Sequence, residues 1–363
     1  MIRYLPTLAA VIVSIPACSS DDSSSLDLSS TTDPARATSA ISEQRLATAA
    51  PAPAAASPTV IAADVPFNDY ATPYRSMFLG RKVDQDATTI YWRVLTRYGY
   101  DKKVYSAAKD GSSTLDRGYL PQSASISSAL TYQRGGLYWS ESDIVRFDLA
   151  KKKWEAIIAA KYPSELFLDG DYFYYTDEDE LSVQHLRRFR VGSKRAVDLG
   201  KIGNEKLDIG AADSDAFYAH YDFAGGSWGH TIVRIDKSTY ARTRLKQGYM
   251  LEPTVLHVDD KNVYFHDPDW YFWSIPKDGT DGTPVRLDAI PAYSSVVFSN
   301  GFVHWVDGQT PGIHRMPTAG GPETIVPTGD RIPVRLDMDA SNYYYFVQKT
   351  SEAFDLVKVG TSM

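Results

Sequence analysis

Between residues 57 and 363 the apolar side chains come in bursts of two or three, each flanked by polar or turn-forming residues. Bursts of that length are too short for a helical stripe and suit buried strands. Seven share one signature: Ile90-Tyr91-Trp92, Leu137-Tyr138-Trp139, Phe173-Tyr174-Tyr175, Phe217-Tyr218-Ala219, Val263-Tyr264-Phe265, Val303-His304-Trp305 and Tyr343-Tyr344-Tyr345. Their middle residues are spaced 47, 36, 44, 46, 40 and 40 positions apart, a tandem unit of about 42 residues. Five of the seven have an aspartate five positions earlier (Asp86, Asp169, Asp213, Asp259, Asp339), where its carboxylate suits capping the amides of a tight turn.

Each unit holds more than one strand. An apolar segment such as Val255-Leu256-His257-Val258 precedes the turn. An alternating segment follows the burst, as in Ile232-Val233-Arg234-Ile235-Asp236 or Ile313-His314-Arg315-Met316. Gly-containing turns come next (Lys109-Asp110-Gly111, Lys277-Asp278-Gly279, Ala319-Gly320-Gly321), and then a more polar strand such as Glu323-Thr324-Ile325-Val326. Four antiparallel strands in about 42 residues make the blade of a β-propeller. The predicted fold is therefore all-β, a seven-bladed propeller, with six or eight blades as the neighbouring possibilities. The seventh unit ends after three strands, and Ser57-Pro58-Thr59-Val60-Ile61-Ala62 parallels Gly321-Pro322-Glu323-Thr324-Ile325-Val326. Residues 57–63 are thus expected to supply the missing strand and close the ring.

The bursts with their following turns, as in Leu137-Tyr138-Trp139-Ser140-Glu141 and Phe173-Tyr174-Tyr175-Thr176-Asp177, resemble the YWTD-type and bacterial lipoprotein-associated propeller repeats. The resemblance covers residues 57–363 and implies a binding or scaffolding module; it specifies fold rather than activity.

The chain begins differently. Arg3 precedes an apolar stretch from Leu5 to Ile15, too short to span a bilayer and suited to a secretory signal over residues 1–17. Ile15-Pro16-Ala17-Cys18 resembles the bacterial lipobox, which implies cleavage before Cys18 and lipidation of its sulfur. Cys18 is the sole cysteine of the chain, so no disulfide framework exists. Ser19 beside it, in proteins of that kind, goes with outer-membrane sorting. Residues 18–56 are rich in Ser, Thr, Ala, Pro and Asp with few large apolar side chains, the composition of a tether. Residues 57–363 form the propeller domain. These features imply a protein anchored in the bacterial outer membrane, facing the periplasm or the cell surface.

A formal charge of −7 argues against a phosphate-binding surface, and the basic, aromatic stretch from Arg93 to Tyr98 does not outweigh it, so no nucleic-acid partner is expected. There is no nucleophile elbow, phosphate-cradling loop or His-Glu-x-x-His run. Candidate chemistry falls on the propeller face that gathers the loops between second and third strands and those between blades. There Tyr221, Asp222, Trp228, His230, His266, Asp267, Asp269 and Trp270 set carboxylates among aromatics, a combination suited to a glycan or an extended peptide. Rings that merely cover the blade tops are the plainer alternative. Tyr162 lies in one of the inter-blade loops.

No cofactor is implied by a motif. The one metal reading is a divalent ion with His230, His266 and Asp267 as candidate ligands, although spacing alone does not show that they converge. Asp177-Glu178-Asp179-Glu180 offers oxygen ligands without the glycine spacing of a calcium loop and reads first as a solvated acidic turn. His304, where six units carry tyrosine, suits a hydrogen-bonded core histidine, with a channel-facing role as the alternative.

The leading functional reading is a lipid-anchored, non-catalytic binding or scaffolding propeller of the cell envelope with a protein or glycan ligand. Its rival is a metal-assisted propeller enzyme, lyase- or hydrolase-like, acting at the channel mouth. A purely architectural envelope lipoprotein is a third.

Overall fold

Among the described residues, twenty-eight strands pair into seven antiparallel sheets of four, with the chain order of strands preserved across six of them. The computed structural model describes residues 57–66, 83–95, 102–119, 131–203, 207–221, 230–249, 254–267, 269, 271–279, 283–291, 294–350 and 353–361, all within the unit Pro51–Met363. Among these residues there is no helix. The expected signal, the tether and Cys18 lie outside them. Blades 1 to 6 take their strands from 83–119, 131–159, 167–203, 207–249, 254–286 and 295–326.

Blade 7 is built from both ends of the chain, as the repeat count predicts. Its sheet runs Pro333–Met338, Asn342–Gln348, Ala353–Gly360 and, outermost, Thr59–Pro66. Thr59 pairs with Lys358 and Pro66 with Ala353. The predicted closing strand is therefore present, shifted a few residues toward the C-terminal side of 57–63.

Burial explains the apolar bursts. Each is the second strand of its blade and is covered on both faces, so polar alternation disappears there. The residues flanking each anchor pack against the preceding blade, and the anchor packs against the following one. Thus Leu137 and Trp139 join Tyr91 and Val104 of blade 1, while Tyr138 joins Phe173 and Tyr175 of blade 3. Among the described residues there are seven such clusters, one per junction, including the junction of blade 7 with blade 1, where Tyr344, Phe346 and Leu356 meet Ile90 and Trp92. An unbroken circuit of junctions is what makes the array a ring.

The turns between first and second strands repeat with equal regularity. In all seven blades the amide just past the third strand donates to a carbonyl of this turn, from Lys109 to Thr88 in blade 1 through Thr361 to Ser341 in blade 7, at 2.8 to 3.2 Å. Four blades add an Asp–Tyr device. One oxygen of Asp86, Asp213, Asp259 or Asp339 accepts two turn amides, and the other accepts the hydroxyl of Tyr91, Tyr218, Tyr264 or Tyr344 at 2.8 to 2.9 Å. Blades 2 and 6 instead turn through Arg134-Gly135 and Asn300-Gly301, both residues left-handed, as a two-residue hairpin requires. Asp169 departs from the expected cap. Its turn uses Gly170 at φ 57°, and its carboxylate accepts from Lys237 of blade 4.

That last contact belongs to a set. Lys109, Lys237 and Lys277, each just past a third strand, reach the turn aspartate of the preceding blade: Asp339 at 2.8 Å, Asp169 at 2.7 Å and Asp213 at 2.9 Å. Anchor tyrosines face the next blade, so their aspartates stand where that blade's lysine arrives. Partial burial opposes the charge of Asp213, but the Lys277 ammonium, the Asp215 and Ala216 amides and the Tyr218 hydroxyl together hold its carboxyl down at about 2. A carboxyl lowered by folding stabilises above its unfolded pKa of about 4 and loses that contribution as pH falls toward 2. Lys277→Met should therefore cost about 1–2 kcal/mol at neutral pH, a deficit that shrinks between pH 4 and pH 2. Urea titrations at neutral and acidic pH measure it; a deficit independent of pH would mean that Lys277 acts through packing alone.

Candidate functional site

The rim carrying the loops between second and third strands and between blades is best described where blade 2 meets blade 3. Residues 160–166 link the two blades, and the run from Asp177 leads into the third strand of blade 3, Gln184–Arg190. Ser164 and Thr176 exchange bonds, amide to carbonyl and amide to hydroxyl, both at 2.8 Å. The Glu178 amide donates to the Lys161 carbonyl at 2.9 Å, and Lys161 Nζ donates to the Asp179 carbonyl at 3.1 Å. The two loops are thereby tied into one ledge.

The acidic run on this ledge is structural rather than merely solvated. Asp179 Oδ1 accepts the amides of Leu181 and Val183 at 2.8 and 2.9 Å, closing the loop on itself. Asp177 is buried, which pushes its carboxyl up, but Arg187 Nε lies 2.5 Å away and pairs with it. His185 stands between Asp198, at 2.7 Å from Nδ1, and Asp179, at 3.3 Å from Nε2. These bonds engage Asp177 and Asp179, two of the four carboxylates in the run.

Among the polar residues that the ledge exposes, Lys161, Glu180 and Ser182, stand two large apolar side chains. Tyr162 is 71% exposed and Leu181 81% exposed. Tyr162 also has φ of 51°, and Ser182, next to Leu181, 58°. A left-handed backbone costs a non-glycine residue about 1–2 kcal/mol, and a bulky ring there is uncommon. Lys161 Nζ lies 6.0 Å from the Tyr162 ring centroid. Exposure of Tyr162 was not readable from composition; its place in an inter-blade loop was the available signal.

Blade 5 carries the described part of the rim set first picked out in the sequence. His266 is buried, and burial brings its imidazole down to about 4, so it is neutral at physiological pH. Its Nδ1 lies 3.1 Å from the Asp267 carbonyl oxygen and donates to it. Asp267 accepts the Tyr271 amide at 2.9 Å and Trp273 Nε1 at 2.8 Å, so both carboxylate oxygens serve the loop. Asp269 is exposed in the turn between them. Tyr221 ends the second strand of blade 4 and His230 opens the third. Their side chains, and Asp222, Trp228 and Trp270, lie outside the described residues. Among the described residues no group of three or more His, Cys, Asp or Glu could hold a metal ion.

His304 is a core histidine. It is buried, its Nδ1 lies 2.9 Å from the Tyr343 hydroxyl of blade 7, and burial brings it down to about 4. It does in blade 6 what an anchor tyrosine does elsewhere, meeting the next blade.

No protein-family model matches the chain, and no curated protein matches it. Among solved structures, oligogalacturonate lyase from Vibrio parahaemolyticus is similar at 7% identity and TM-score 0.53, over 84% of this chain and 93% of that one. An oligogalacturonate lyase in complex with manganese gives 10% identity and TM-score 0.47, covering 77% and 95%. A chain of a nidogen/laminin complex gives 18% identity and TM-score 0.40, covering 61% and 92%. The likeness is one of fold. At such identities no activity transfers.

Proposed function

We propose that this chain is a lipid-anchored, non-catalytic binding propeller of the bacterial cell envelope, held at the outer membrane through Cys18, and that its rim between blades 2 and 3 meets a protein or glycan partner. The observation that carries the reading is Tyr162. A large ring held out on a left-handed backbone, beside an exposed leucine on a loop braced by Asp179, is strain kept where a ligand would relieve the exposure. Glu180 adds an exposed carboxylate to the same loop. Lipobox and tether, with the YWTD-like character of the repeats, support the envelope address. The metal-assisted alternative draws on His266 and Asp267, whose bonds to their own loop favour a structural role.

The test is photo-crosslinking in cells, with a benzophenone amino acid at position 162 and, as control, at Val285 on the outer strand of blade 5. A discrete adduct is expected from 162 alone, lost with Leu181→Asp, and Cys18→Ser should release the protein from the membrane fraction. Identical adducts from both positions would remove the rim from the reading; unchanged fractionation would remove the anchor.

A further inference from the structure

A second surface lies on the side wall, where the outer strands of blades 3 and 4 leave a groove of about 510 Å³. Its floor is apolar, from Leu186, Leu199 and Val233. Its flanks carry Lys201 from blade 3 and Arg242 and Arg244 from blade 4, and no carboxylate is among the described lining residues. This is unexpected on a chain of formal charge −7. Arg242, Thr243 and Arg244 are exposed, and Arg242 Nη1 donates to the Ile202 carbonyl across the groove at 2.9 Å.

The basic flank is also a sheet edge. Among the described residues, Arg242–Tyr249, eight residues long, is the outermost strand of blade 4 and pairs only with His230–Asp236, in unbroken register from Arg242 to Arg244 and with register shifts beyond. Arg242 and Arg244 are two positions apart and line the same groove, so their backbone positions are roughly 6.8 Å apart along the strand. That is the interval between alternate side chains of an extended peptide added alongside.

We infer that this edge receives an extended acidic peptide segment of a partner protein. The segment adds a strand to blade 4, with carboxylates at alternate positions over Arg242 and Arg244 and Lys201 across the groove. Main-chain bonds to the edge supply affinity, and the charge register supplies choice of partner. A polyanionic glycan would meet the charges without using the edge. The inference stands independently of the rim.

The experiment is fluorescence anisotropy with the full chain and three labelled octapeptides: alternating Glu and Val, the same residues in two blocks, and alternating Lys and Val. The alternating acidic peptide should bind in a salt-sensitive way, at least about tenfold more tightly than the blocked one. Arg242→Glu with Arg244→Glu should abolish binding, whereas Lys153→Glu on the outer strand of blade 2 and Tyr162→Ala at the rim should leave it unchanged. Should the double reversal fail to fold, Arg244→Gln gives the same comparison, with a weakening of several-fold expected. Equal binding of the blocked peptide or of polygalacturonate would overturn the inference in favour of a general polyanion site. So would binding indifferent to both variants, or no binding of any acidic peptide.

Discussion

Ile61→Asp combined with Val65→Asp is expected to abolish cooperative folding at room temperature. Both side chains belong to the strand that completes blade 7; they are 4% and 2% exposed and pack in the cluster of Trp92, Phe346, Phe354 and Leu356. Each replacement forfeits about 1.5–3 kcal/mol of apolar burial, and burying an unpaired carboxylate adds several kcal/mol more. Two such changes consume most of the roughly 5–15 kcal/mol that keeps a domain folded. Trp92 reports the event, since its indole donates to the Pro66 carbonyl at 3.1 Å at the far end of the same strand. Near-ultraviolet circular dichroism and urea titration are the measurements. A double variant with a wild-type midpoint would mean that the ring holds without its N-terminal strand.

Gly210→Ala is expected to be the most damaging single methyl in the described chain. A Cβ there would lie 2.0 Å from the Val255 carbonyl oxygen and 2.7 Å from its carbonyl carbon, in the first strand of the next blade. Backbone cannot rotate aside as a side chain does, so blades 4 and 5 must separate, at about 3 kcal/mol or more. Gly301 is a useful contrast, because a Cβ there meets nothing within 4 Å and only its φ of 76° is strained. Gly301→Ala should thus cost about 1–2 kcal/mol. Comparison of the two urea midpoints separates collision from conformational strain, and equal losses would refute the collision.

The ring was legible because its strongest signal is non-local burial written locally. A strand covered on both faces must carry bulky apolar residues throughout, and seven such strands at near-even spacing leave few other architectures. The closing strand was legible for a related reason, since Thr59-Val60-Ile61 fills the register that the last unit leaves open. The contacts between blades were less so. Lys109, Lys237 and Lys277 stand in the units that follow Asp339, Asp169 and Asp213, a pairing visible only once the units are aligned and the anchor's facing direction is known. Site chemistry was least legible. Asp267 and Asp179 looked available as ligands, yet their oxygens close their own loops. Residue type does not say whether a carboxylate faces outward or caps an amide.

Strand direction in blade 7 gives the molecule a polarity. Thr59 pairs beside Lys358, at the end of the ring that holds the Asp–Lys latches, and Pro66 pairs beside Ala353, at the end that holds the ledge. The polypeptide thus joins the disc from beneath and runs upward. The strand that closes the ring therefore begins on the latch face and ends on the face that bears Tyr162, so one stretch of backbone couples the two faces.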